Sequence, residues 1–166
     1  MENKQPRDGR ADFDFLHGHW TIRNRRLAQR LASSSDWQEF ESTASVRPIL
    51  GGLGNTDSIV TNDMPGTGAF EGFTVRLFDP RRRVWSIHWA STLAPGRLDP
   101  PLTGSFDGPH GVFQGHDTFD GRQIRVRFEW DAGNGSSARW QQAFSIDDGK
   151  TYEVNWVMEF ERLGEP

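Results

Sequence analysis

The chain has 166 residues, a net charge of −4 and no cysteine, and each of these facts excludes a class of protein. The length accommodates one compact domain or at most two small ones. Because no apolar run approaches roughly 18 residues, we expect no membrane-spanning helix and no membrane partner. The slightly acidic charge balance argues against a nucleic-acid partner, which requires a basic face. Without cysteine there is no disulfide framework, thiolate nucleophile or cysteine–zinc site.

The chain is rich in large aromatic side chains. Hydrophobic residues make up 34% of it, and they include 12 Phe and 7 Trp but only 1 Tyr. We therefore expect a core built from a few large rings. The polar segment 1–12 is predicted to be a flexible tail, and residues 13–166 are predicted to form a single domain. Because the first residues lack the apolar stretch of a secretory signal, a cytoplasmic location is expected.

Most of the chain alternates apolar and polar residues with a period of two, which is typical of strands that bury one face. Ile124, Val126, Phe128 and Trp130, for example, alternate with polar or charged neighbours. Asp-Gly pairs at 107–108, 120–121 and 148–149 lie between such segments and supply the positive φ angles of tight hairpins. The pattern predicts ten strands, at roughly 19–31, 37–47, 56–61, 69–79, 83–91, 102–106, 111–119, 122–131, 137–146 and 151–162.

These strands predict an all-β fold, a single antiparallel up-and-down barrel of about 8–10 strands. A short helical turn within residues 13–20 is expected to lead into the first strand. An open sheet would leave two apolar edges, whereas closure removes them and encloses room for a small ligand. A two-sheet sandwich with Greek-key crossings is the alternative. The short sequential hairpins favour the barrel.

The first strand opens on Gly18-His19-Trp20, and the last one ends at Arg162. Together these residues resemble the Gly-X-Trp signature of lipocalins and the calycin superfamily. The resemblance implies that Trp20 closes one end of the barrel and that Arg162 packs across its indole, a contact of about 0.5–2 kcal/mol. Extracellular transport is not implied, because the chain shows neither a signal peptide nor disulfides.

More closely, the chain is similar to a bacterial lipocalin-like family of undefined function. The similarity extends over about residues 13–162. It rests on residues 15–20, the Gly51-Gly52 element, the hairpin at 78–85 and the later Gly-X-Phe segments.

Polar side chains in phase with the apolar face of a strand are candidates for lining an interior cavity, because their burial requires a partner. Arg26 shares the phase of Trp20, and Asp117 shares that of Phe113 and Phe119. An inward Arg beside amides, a hydroxyl and indole rings suits a small aromatic or carboxylate-bearing molecule. The predicted ligand-binding residues are Arg26, Gln38, Trp85, Trp89, Asp117, Trp140, Gln142, Tyr152 and Trp156. In the alternative, the polar groups pair with one another and the Trp rings fill the barrel.

The sequence is compatible with two alternative functions. An enzyme on the same barrel would use Asp117, Tyr152 or Arg26 for acid–base chemistry of the isomerase or cyclase type, although no catalytic residue is assigned. Haem would be held through one histidine, and the candidates are His88, His110 and His116. His17 and His19 share a face if extended, but no ligand downstream completes the set. No metal and no cofactor are therefore predicted.

The Pro-rich segment 92–101 is the longest predicted loop. It is expected to cap the open end of the barrel, to form a homodimer contact, or to be a plain surface loop. The leading prediction is a cytoplasmic, lipocalin-like barrel, without an assigned enzymatic activity, that binds a small, largely apolar or aromatic molecule in its interior.

Overall fold

A computed structural model, which describes residues 8–164, shows one closed barrel of ten antiparallel strands. The all-β prediction and the predicted strand number are confirmed. A short 3-10 turn, Asp14–Leu16, precedes the first strand. The strands are β1 Gly18–Leu27, β2 Trp37–Ile49, β3 Gly54–Met64, β4 Gly68–Asp79, β5 Val84–Ser91, β6 Leu102–Asp107, β7 His110–Phe119, β8 Arg122–Asp131, β9 Ser137–Ser145 and β10 Glu153–Arg162.

Each strand pairs with its neighbours in sequence, and β1 closes the barrel by pairing with β10. Trp20 lies opposite Arg162 in this closing pair, and Arg26 lies opposite Trp156. The up-and-down order excludes the Greek-key sandwich. Within residues 8–164 no helix has the length and apolar character required to cross a membrane.

One end of the barrel is closed by aromatic side chains that the N-terminal segment supplies. The ring of Phe13 contacts Trp85 edge-on at 5.0 Å and stacks near Phe113 at 5.6 Å, and Phe13 itself is fully buried. The turn before it also belongs to this end, because Trp85 Nε1 donates a hydrogen bond to the Gly9 carbonyl at 3.0 Å. The predicted tail 1–12 therefore contacts the barrel from residue 9 onward, while residues 1–7 lie outside the described part.

The Gly-X-Trp segment has the geometry that the resemblance implied. Trp20 is fully buried, and its Nε1 donates to the Leu16 carbonyl at 2.8 Å. Gly18 has a φ of +120°, and a Cβ there would lie 2.6 Å from Arg162 Nη1. Two reasons therefore favour glycine at this position: the positive φ of its backbone and the space that the guanidinium of Arg162 occupies.

Candidate functional site

The barrel encloses a cavity of about 310 Å³ between the closed end and the opposite mouth. Its wall is mainly apolar, because alternate residues of each strand point inward. The deep part includes Met158 and Phe160 of β10, and the mouth includes Phe119 and Leu93. A space of this size and character is suited to a small organic molecule.

The tryptophans divide between filling the barrel and lining its cavity. Trp89, Trp130, Trp140 and Trp156 line the cavity. Trp156 is the centre of an edge-on group, 5.9 Å from Trp140 and 6.5 Å from Trp89 between ring centres. Gly72 of β4 makes room for this wall, since a Cβ there would lie 2.0 Å from the Trp89 ring. Trp85, in contrast, belongs to the closed-end packing and does not line the cavity.

The weakest seam of the wall lies beside segment 92–101. Strands β5 and β6 share only the pairs Trp85–Gly104, Ser86–Thr103 and Ile87–Leu102, so the upper part of β5 has no strand beside it there. The loop fills this gap, and Asp99 N donates to the Trp89 carbonyl at 2.8 Å. Of the roles considered for this loop, capping the mouth is the one that its position fits.

A salt-bridge cluster holds this loop against β7. Arg97 Nη2 lies 2.6 Å from Asp117 Oδ1, and Arg97 Nε lies 3.0 Å from Asp99 Oδ1. The charge of Asp117 raises the pKa of Arg97, and burial raises the pKa of Asp99. Asp117 thus lines the cavity mouth as predicted by its phase, but its carboxylate already has a protein partner.

The floor of the cavity carries a buried ion pair. Arg76 Nη2 lies 2.7 Å from Asp57 Oδ2, and both side chains are about 95% removed from solvent. Arg76 Nη1 also donates to Asn55 Oδ1 at 2.8 Å. The guanidinium lies 5.2 Å from the ring centre of Phe13 and 5.5 Å from that of Trp130, so it separates the cavity from the closed end.

Two further arginines lie in the upper half of the cavity. The Arg26 guanidinium lies 5.0 Å from the ring centre of Trp156, and that of Arg30 lies 4.7 Å from the ring centre of Phe119. Both line the cavity. Burial lowers the pKa of Arg26 to about 10, with a smaller contribution from the nearby charge of Arg30. Burial also lowers the pKa of Arg30, while Asp120 opposes the shift.

A β-bulge in β10 places one amide in the interior. Val154 pairs with Ala143 and Trp156 with Gln142, which leaves Asn155 as an extra residue in its strand. Its side chain is fully buried and accepts a hydrogen bond from Gln142 Nε2 at 2.8 Å. Gln142 lines the cavity.

The same bulge corrects the expected orientation of Tyr152. Counting in steps of two from Trp156 directs Tyr152 inward, but the extra residue Asn155 inverts that phase. The Tyr152 ring instead lies 4.1 Å from the guanidinium of Arg127. Arg127 alternates with the buried Val126 and Phe128, so the stacked pair lies on the outer face.

The structure therefore brings six of the nine predicted residues to the cavity wall. These are Arg26, Trp89, Asp117, Trp140, Gln142 and Trp156. Of the other three, Trp85 packs at the closed end and Tyr152 stacks outside the barrel. Gln38 is the register partner of Arg26 on β2 and is half-buried, but it is not part of the lining.

Sequence reasoning missed Arg30, Arg76 and Thr74 of the lining. Arg76 and Thr74 share the phase of Phe70 and Phe78 on β4, so the alternation of that strand carried the signal. Arg30 lies beyond the end of β1, where no alternation indicates which side chain turns inward.

The groups named for the alternative functions are not brought together. Asp117 is at the mouth, Tyr152 is outside the barrel and Arg26 is inside it, so they form no shared acid–base site. None of the five histidines, all within the described part, lines the cavity. His88 hydrogen-bonds Ser86 on the outer face, and His110 and His116 are exposed. Residues 8–164 contain no group of three or more potential metal ligands.

These features define a closed β-barrel with a largely apolar internal cavity that is open at one end. The Trp20–Arg162 contact and the up-and-down order are consistent with a lipocalin-like fold. No protein-family model matches the chain, and a comparison with curated proteins finds no match either.

Proposed function

We propose that this protein is a calycin-type barrel that binds a small, largely apolar or aromatic molecule in its interior. The observation that carries the proposal is the cavity of about 310 Å³ that remains among Trp89, Trp140 and Trp156. Apolar surface contributes roughly 25 cal/mol for each Å² removed from water, and indole rings add edge and face contacts to a planar ligand. The mouth beside loop 92–101 gives such a molecule a route of entry.

Two measurements test this proposal. Native mass spectrometry of the protein as purified should show a retained small molecule, or titration with indole should show saturable one-to-one binding. Indole is neutral and planar, so the titration tests the apolar wall independently of charge. A protein that retains no molecule and shows no saturable binding contradicts the proposal.

A cavity-filling variant distinguishes the interior from the surface. Val126 lines the cavity, and Val126→Trp should reduce indole binding at least tenfold by occupying the same space. Val60 is 43% exposed, and Val60→Trp is the matched control that should leave binding unchanged. Thermal unfolding of both variants verifies that they fold. Equal loss of binding in the two variants would contradict an interior site.

A further inference from the structure

The charge of the cavity is unevenly compensated. Four arginines of the described chain line it: Arg26, Arg30, Arg76 and Arg97. Arg76 is paired with Asp57, and Arg97 is paired with Asp99 and Asp117. The positive charge on the floor and that at the loop are therefore neutralised within the protein.

Arg26 has no such partner. Within residues 8–164 its guanidinium makes no ion pair and no hydrogen bond, and its Nε is buried without an acceptor. Its contact in the structure is the face of Trp156, whose own Nε1 donates to Asn24 at 3.0 Å. Arg26 is half-buried, and its Nε is the nitrogen that is removed from solvent. A guanidinium nitrogen in that position normally donates to a carboxylate or carbonyl, because a buried donor without a hydrogen bond costs its desolvation free energy.

Arg30 also lines the upper half of the cavity, and its charge is near enough to act on that of Arg26. Its guanidinium lies 4.7 Å from Phe119 and 5.7 Å from Phe144, and no acceptor among residues 8–164 hydrogen-bonds it. Asp120 attracts it but is not within ion-pair distance. The Glu153 carboxylate accepts a hydrogen bond from the backbone N–H of Leu31 at 2.7 Å. Two like charges thus lie over aromatic rings in one half of the cavity, and neither makes an ion pair within residues 8–164.

We propose that Arg26 and Arg30 form a subsite for the carboxylate of an amphipathic ligand whose apolar part lies against the tryptophans. This inference rests on the proposed function and specifies the ligand class. The planar guanidinium fork matches the two oxygens of a carboxylate, and one monoanion supplies the acceptors that both side chains lack. The apolar cavity below the arginines favours a carboxylate with a hydrocarbon or aryl body over a free inorganic anion.

Matched pairs of carboxylates and their uncharged amides test the subsite. Phenylbutanoate, naphthaleneacetate and octanoate would be titrated calorimetrically against phenylbutanamide, naphthaleneacetamide and octanamide at constant ionic strength. The wild-type protein should bind the carboxylate of at least one pair about tenfold or more tightly, which is the size expected of a charge-assisted hydrogen bond. Arg26→Gln should remove most of that preference while leaving amide binding within about threefold.

Arg25 provides the matched control. It is the neighbour of Arg26 on the same strand, it is exposed on the outer face, and it lies 5.0 Å from the Trp37 ring. Arg25→Gln should retain the full carboxylate preference, and Arg30→Gln should lower it. Equal affinities for the acid and the amide of every pair would overturn the subsite, and so would a preference for the carboxylate that Arg26→Gln retains. Neither result would contradict binding of an apolar molecule in the cavity. Failure of every acid and every amide to bind would overturn the subsite, and failure of indole to bind as well, with no retained molecule, would overturn the proposed function.

Discussion

The guanidinium of Arg162 lies 4.2 Å from the centre of the Trp20 indole, and the two residues are register partners in the strand pair that closes the barrel. Three carbonyls surround the same guanidinium: Nη1 donates to His17 at 2.6 Å, Nη2 to Phe15 at 2.8 Å and Nε to Gly135 at 2.9 Å. Arg162 thus connects the N-terminal turn, the first strand and the β8–β9 loop at the closed end.

Replacing Arg162 should therefore destabilise the whole barrel. Arg162→Ala removes the contact with Trp20 and leaves three carbonyls without their donor, so we expect a loss of about 3 kcal/mol in the free energy of unfolding. Urea denaturation gives the value. Arg23 is the control, because its side chain is 74% exposed and its ion-pair partner is the surface residue Glu159. Arg23→Ala should change stability by about 0.5 kcal/mol or less, and equal effects of the two substitutions would disprove the role of Arg162.

For the buried ion pair of Arg76 and Asp57, removing one partner should lower the free energy of unfolding more than removing both. Asp57→Asn leaves a buried cation uncompensated and should cost about 3–5 kcal/mol. The double variant Asp57→Leu with Arg76→Met removes both charges and should recover most of that loss. Denaturation of the single and double variants measures the difference. If the double variant loses as much stability as the two single substitutions together, the two side chains contribute independently, and the expectation is contradicted.

How far the sequence determines this fold is visible on individual strands. On β8 the alternation of Ile124, Val126, Phe128 and Trp130 gives the inward face correctly, because nothing interrupts the period. At Tyr152, just before β10, the same rule fails. The bulge at Asn155 depends on pairing with β9, and the alternation of a single strand does not reveal it.

The charges of the cavity show a second limit. The alternation on β1 predicts that Arg26 points inward. Nothing in the local sequence indicates that Arg76 has a carboxylate partner, whereas Arg26 has none within the described part of the chain. That difference depends on which strands become neighbours, since Asp57 reaches Arg76 across the β3–β4 pair. The alternation along a strand identifies a polar residue that points inward. Only the structure of the closed barrel shows whether that residue already has a hydrogen-bond or ion-pair partner.

Asp147 should make the β9–β10 loop sensitive to acid. It accepts hydrogen bonds from the Thr151 hydroxyl, from the Thr151 backbone N–H and from the Ser145 hydroxyl, and these lower its pKa from 3.8 to about 2. Because the folded pKa is the lower one, the stabilisation is complete above pH 3.8 and is lost as the pH falls towards 2. The stability difference between wild type and Asp147→Asn should therefore shrink over that interval. A difference that is independent of pH would contradict this role.

The salt bridge between Arg97 and Asp117 should control exchange of a bound molecule more than overall stability. Asp117→Asn weakens the attachment of loop 92–101 to β7, and the partly exposed pair contributes about 1 kcal/mol or less to folding. Stopped-flow tryptophan fluorescence should show indole dissociating several-fold faster. Asp148→Asn is the control, because Asp148 is 78% exposed and pairs with Arg125 elsewhere. An unchanged dissociation rate in Asp117→Asn would show that indole does not pass this loop.

Arg26 should reduce the stability of the ligand-free protein, because its guanidinium is partly buried and no acceptor among residues 8–164 hydrogen-bonds it. Burial lowers its pKa to about 10, so the protein carries the cost of the desolvated cation at all pH values below that point, and the cost disappears as the pH rises further. Solvent reaches part of the side chain and screens the charge, and the Trp156 face offsets some of the cost. Arg26→Met should therefore stabilise the ligand-free barrel by about 1 kcal/mol, or roughly 3 °C in Tm.

The same substitution should abolish the stabilisation that a bound carboxylate confers. In the wild-type protein, Tm should rise with the concentration of phenylbutanoate, whereas in Arg26→Met phenylbutanoate should raise Tm no more than phenylbutanamide does. Differential scanning calorimetry with and without each compound measures both effects in one series. A lower Tm for ligand-free Arg26→Met would show that the contact between Arg26 and Trp156 stabilises the fold by more than the desolvation of the charge destabilises it. Arg26 would then have a structural role in the ligand-free protein, which would contradict this prediction.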